Sequence, residues 1–149
     1  DDPDILRLIW ADRTDRYQEA LELIARAYAA EPDFGGFLLH LSQLAPHTGA
    51  LLADPRAALL VSEPDDGRAD VQTLTRVTLV GSAAPLEPGS EAYAAAQALY
   101  LARLPAAQVL FSFPDFLLFR FVPSEARYVG GFARTFVMTP RHLAQAAAQ

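Results

Sequence analysis

Between Gly36 and Val61 the chain leaves little freedom in how it folds. Phe37–Ser42 reads as a strand, Pro46 opens a short helix as a favoured first-turn residue, and Ala57–Ser62 reads as a second strand. Asp54-Pro55 must end that helix, because a residue before proline is pushed out of helical geometry. Ser42, His47 and Thr48 are thereby gathered where the first strand hands over to the helix. A helix N-terminus carries unpaired N–H groups and a partial positive charge, so this arrangement suits an anion such as a phosphate.

The rest of the chain reads as a frame around that segment. Leu74–Leu86 is a long strand, with Val77 and Leu79 on one face and Arg76, Thr78 and Val80 on the other. Gly81 within it marks a bulge or a close backbone approach. Glu91–Leu104 is a helix started by Pro88-Gly89-Ser90 and closed by Pro105, and Ala106–Phe113 is a second short helix. Phe116–Val122 is an apolar strand, Pro123–Ala126 a turn, and Arg127–Val129 and Ala133–Met138 further strand segments. Pro140–Gln149 is an alanine-rich helical tail. Ahead of the central segment, Asp4–Ala11 reads as a short amphipathic helix. From Asp15 to Ala30 the apolar residues Tyr17, Ala20, Leu21, Ile24 and Tyr28 recur at helical spacing. The sum is an α+β domain: a small, mostly antiparallel barrel with helices packed outside it, rather than a doubly wound sheet.

Length and composition bound the class. The 149 residues form one domain, 1–149, with 1–32 the most divergent stretch and 140–149 a tail. No window holds eighteen apolar residues, and the acidic start lacks the positive region of a signal peptide, so a cytoplasmic protein is expected, with no membrane partner. A net charge of −6 argues against nucleic acid. There is no cysteine, which excludes thiolate chemistry. All twelve basic residues are arginine, so no Schiff-base lysine exists and any anion must be met by Arg, His, hydroxyls or backbone N–H. No dinucleotide loop, Walker motif or metal-ligand spacing is present.

Gly36–Val61, in the order Phe-Leu-X-X-Ser-X-Leu-Ala-X-His-Thr and then Asp-Pro-Arg, resembles the pyridoxamine 5′-phosphate oxidase-like flavoproteins. Thr75–Gly81, Phe113–Arg120 and Arg127–Arg134 fit the branch containing the haem-utilisation proteins, and the ordered set spans residues 33 to 138. The resemblance implies an FMN-binding split β-barrel and a homodimer with FMN in grooves between the subunits. It implies a flavin phosphate held by Ser42, His47 and Thr48, with Arg76 and Arg26 as cations. Arg26 serves only if residues 22–30 form a strand. That arrangement is adopted over the helical periodicity, because Ala27-Tyr28-Ala29 leads into the matching segment at the expected distance. One departure stands out: the family's Arg-Asn is Gly49-Ala50 here. Losing one charged hydrogen bond costs about 1.5–3 kcal/mol, a ten- to hundredfold drop in affinity.

The leading expectation is an FMN-dependent oxidoreductase of unknown substrate, the flavin carrying the electron chemistry. The alternatives are a haem-binding or haem-degrading protein on the same scaffold, with His142 as a possible iron ligand, and a cofactor-free dimeric binding module. His40 reads as a buried histidine satisfied by a hydrogen bond. Arg76, Arg120 and Arg134 read as strand arginines paired with acids such as Asp115 or Glu125. The phenylalanines from Phe111 to Phe121 read as core or dimer interface.

Overall fold

The computed structural model describes residues 17–63, 67, 74–130 and 135–148. The first sixteen residues, with the expected helix Asp4–Ala11, and Arg134 lie outside them. Helix α1 covers 17–27. Strands β1 (Ala29–Ala30) and β2 (Phe37–Ser42), helix α2 (Pro46–Ala53), and strands β3 (Arg56–Ser62) and β4 (Arg76–Pro85) follow. Helix α3 (Glu91–Arg103), a 3-10 helix (Pro105–Ser112), strands β5 (Phe116–Val129) and β6 (Thr135–Met138), and helix α4 (Pro140–Ala147) complete the order.

Every strand pairing is antiparallel, in the order β1-β2-β5-β4-β3, with β6 added to the far half of β5. This is the expected α+β split-barrel class of fold. Alternation along β2 and β5 divides their residues between two faces. On the inner face Phe37, Phe119 and Phe121 join Val77, Leu79 and Met138, closed by Ala20, Leu21 and Ile24 of α1 and Leu143 and Ala146 of α4. On the outer face Leu38 and Leu118 pack with Ala96, Leu99 and Tyr100 of α3 and Phe111 of the 3-10 helix. Ser90 caps α3 by accepting from the Tyr93 N–H at 3.1 Å.

Two expectations are corrected. Residues 22–30 are not a strand: α1 runs to residue 27 and only Ala29–Ala30 pair with β2. The helical periodicity prevails because Ala20, Leu21, Leu23 and Ile24 bury one stripe in the inner core. Arg103 of α3 then meets the end of α1, donating to the carbonyls of Ala25 and Arg26 at 3.1 and 2.6 Å. Nor is Pro123–Ala126 a turn; β5 runs straight through it. Pro123 stands opposite Gly81 where the β4–β5 register shifts, and Ser124 donates from its hydroxyl to the Val80 carbonyl at 3.0 Å. A bulge tolerates a residue without an N–H. A Cβ on Gly81 would run into the Val122 carbonyl, so the close approach expected at Gly81 is real.

Candidate functional site

Ser42 ends β2 opposite Phe116, the first residue of β5. Its hydroxyl donates to Asp115 Oδ2 at 3.1 Å and accepts the Leu44 N–H at 3.1 Å. A carboxylate therefore already occupies the donor that a phosphate would use. Four residues on, α2 begins without a side-chain cap from Ala45. Pro46 has no N–H, and the Thr48 N–H is bonded to the Ala45 carbonyl at 3.1 Å, which leaves the His47 N–H as the open donor of the first turn. The His47 side chain is exposed. Thr48 is fully buried, and its Oγ1 has no hydrogen-bond partner.

The arginines named as cations lie elsewhere. Arg76 starts β4 opposite Val129, at the far end of β5 from Ser42. Arg26 is exposed near the end of α1. Within one protomer Ser42 and His47 are brought together; Arg76 and Arg26 are not brought to them, and Thr48 points into protein. Within one protomer the five named residues do not gather into a phosphate cradle. Gly49 and Ala50 are both exposed, and a Cβ at Gly49 would meet nothing within 4 Å.

Arg120 is paired with an acid, but neither Asp115 nor Glu125. Its Nε and one terminal nitrogen both donate to Glu31 at 2.6 Å, and these bonds raise its pKa. Asp115 serves Ser42, and Glu125 takes Arg127. The pair of Arg120 and Glu31 lies beside a groove of about 310 Å³ walled by Leu86, Ala92, Ala96 and Leu99. No sequence signal near Arg120 points to Glu31, which is 89 residues away.

The three histidines separate cleanly. His40 has no hydrogen-bond partner at either nitrogen, which corrects the expected satisfied histidine. Its neighbours are rings, and burial lowers its pKa. His142 completes a capping box on α4: its Nδ1 accepts the Thr139 N–H at 3.1 Å while its own N–H is bonded to Thr139 Oγ1 at 3.3 Å. The Nδ1 lone pair is thus in use, so the proton of the neutral ring sits on Nε2. Its ring also stacks on Tyr17 with centroids 5.6 Å apart. Iron ligation by His142 would break the cap or move that proton. His47 is the one with an exposed imidazole. Beside Ser42, Leu44 is 84% exposed and Phe113 46%, an apolar surface at the same end of the sheet.

An antiparallel sheet with helices on both faces, carrying a strand–helix–strand segment at one end, defines a split-barrel protein. No family model matches the chain. Over 111 residues it is 37% identical to "Non-canonical heme oxygenase HOZ, chloroplastic" of Arabidopsis thaliana, covering 74% of this chain and 32% of that protein. The solved structure of a heme binding protein from Mycobacterium smegmatis is 30% identical with a TM-score of 0.67, covering 79% of this chain and 47% of that one. A further solved structure is 33% identical with a TM-score of 0.60, covering 76% of this chain and 71% of its own. The chain has the pyridoxamine 5′-phosphate oxidase-like split-barrel fold, and its solved neighbours include heme binding proteins, which matches the expected family and its haem-utilisation branch. It spans about a third of the curated relative's length and about half of the mycobacterial protein's. Among the described residues no helix is long and apolar enough to cross a membrane, and no cluster of three metal-ligating side chains occurs.

Proposed function

We propose that this chain binds haem and serves in haem degradation. The observation that carries the reading is the 37% identity over 111 residues to a protein named as a heme oxygenase. The likeness to a mycobacterial heme binding protein supports it. The site adds an argument of its own. A flavin phosphate on α2 would meet one open N–H and a neighbouring carboxylate, with neither Arg76 nor Arg26 of the same protomer beside it. Haem asks instead for apolar surface and an accessible ligand. Leu44 and Phe113 offer the surface, and His47 is the imidazole open to iron. Bound haem would supply the redox chemistry; the chain would bind and orient it. We take the working unit to be a homodimer, since Leu52 and Leu60 are both exposed and need cover. An FMN-dependent oxidoreductase is the second reading, and it rests on the family.

The test is titration of the purified chain with haem and, separately, with FMN. A saturable Soret band is expected in the wild type, weakened in His47→Ala and kept in His142→Ala, which loses only its helix cap. Saturable FMN binding abolished by Ser42→Ala with His47→Ala, together with no haem band, would overturn the proposal in favour of the flavoprotein. Binding of neither would leave a cofactor-free module.

A further inference from the structure

His40 stands on the outer face of β2, and both of its ring nitrogens are buried without a partner. Its ring stacks on Phe111 with centroids 4.0 Å apart and planes 16° apart. Tyr100 meets it edge-on at 5.7 Å, and Phe116 lies 5.1 Å away. These three rings come from three elements: the 3-10 helix, α3 and β5. One imidazole thus touches all three elements and, beside Leu38 and Leu118, helps tie the outer helical layer to the sheet. We propose that His40 is an acid-sensitive latch: the neutral ring seals α3 and the 3-10 helix onto the sheet, and a proton on it loosens that layer.

An imidazolium carries two N–H donors, and neither His40 nitrogen has a hydrogen-bond partner in this cage of rings. Attraction between the cation and the Phe111 face offsets only part of the lost hydration. Desolvation is what shifts the ring, and no charged side chain is bonded to it. Tyr100 is the titratable group among the ring contacts, and burial raises its pKa, so it stays a neutral phenol. The 3-10 helix, Pro-Ala-Ala-Gln-Val-Leu-Phe-Ser, has no ionisable side chain. On α3, Glu91 is exposed in the first turn and Arg103 is spent on the carbonyls of Ala25 and Arg26. At β5, Asp115 is bonded to Ser42 and Arg120 to Glu31.

Desolvation holds the folded pKa of His40 below the unfolded value of about 6.5. Its contribution to stability is therefore complete above that value and is lost as pH falls through the folded pKa. The exposed Asp54–Arg56 pair does not interfere in this window, because hydrogen bonds from Arg56 hold Asp54 down to about 2.

The experiment is an NMR titration of the His40 ring in the wild type, with residue-resolved hydrogen exchange at pH 7 and pH 5. The midpoint is expected below 6.5, the ordinary histidine value. At pH 5, after correction for intrinsic rates, the α3 and 3-10 amides lose protection relative to those of β3 and β4. The loss is about tenfold for each pH unit between the midpoint and the ordinary value, once pH lies below the midpoint. His40→Phe keeps the stack and removes the proton site, so the pH dependence of that layer should vanish. A midpoint at or above the ordinary value, or an unchanged pH dependence in His40→Phe, would overturn the latch. Should His40→Phe fail to fold, Phe111→Leu opens the cage to water. The His40 midpoint must then rise toward the ordinary value; an unmoved midpoint counts against the proposal.

Discussion

On the inner face of β2 and β5 stand Phe37, Leu39, Leu41, Phe119 and Phe121; one residue along, on the outer face, stand Leu38, His40, Ser42, Leu118 and Arg120. The inner set contains no side-chain polar atom and is closed by packing against α1 and α4. Three of the five outer residues are polar, and each polar group had to be settled separately. Arg120 is met by Glu31, Ser42 by Asp115, and His40 only by rings. The same alternation built both faces, yet along this stretch of β2 and β5 the inner one is apolar while the outer one holds the ionisable groups. An apolar face accepts any well-shaped cover. A polar face accepts only a cover that brings the right atoms, so chemistry and sensitivity to pH collect there.

The sharpest way to break this contrast is on the inner side. Phe121→Ala should cost about 3–5 kcal/mol, read as a fall in the denaturation midpoint, because a fully buried ring leaves a cavity that the core cannot fill. Losses from outer-face polar substitutions should be smaller and should depend on solvent conditions. Arg120→Ala leaves the Glu31 carboxylate, 26% exposed, without its partner; screening limits the loss to about 1 kcal/mol. Added salt should shrink that difference, whereas it should leave the Phe121→Ala effect in place. A salt-independent loss would mean that Arg120 acts through its packing instead.

The smallest expected effect has the opposite sign. Thr48→Val removes a buried hydroxyl that has no partner and keeps the shape, so stability should rise by up to about 1 kcal/mol. A fall in thermal midpoint would show that Thr48 Oγ1 is bonded in the working assembly, and would return Thr48 to the ligand site.

Much of the frame was legible in the residues. Phe37–Ser42, the helix opened by Pro46 and closed before Asp54-Pro55, and the long strand with Val77 and Leu79 inward all stand where periodicity and proline placed them. Gly81 marked its bulge for a local reason, since no side chain fits there. The failures have a common cause. Ala27-Tyr28-Ala29 suits a strand as well as a helix end, and packing of Ile24 and its neighbours against the core settled it. Pro123 reads as a turn until a bulge in the partner ladder gives it a place. The anion segment was visible as Ser42, His47 and Thr48, but not that Asp115 would take Ser42 or that Thr48 would turn inward.

The sequence by itself determined most of the elements and the inward and outward faces of the central strands, because these follow from short-range steric rules and from spacing along the chain. Only the tertiary structure decided which acid meets Arg120, which rings enclose His40, and which of the five proposed site residues share a place. Those contacts join residues tens of positions apart, through strand register and helix docking that no local pattern encodes.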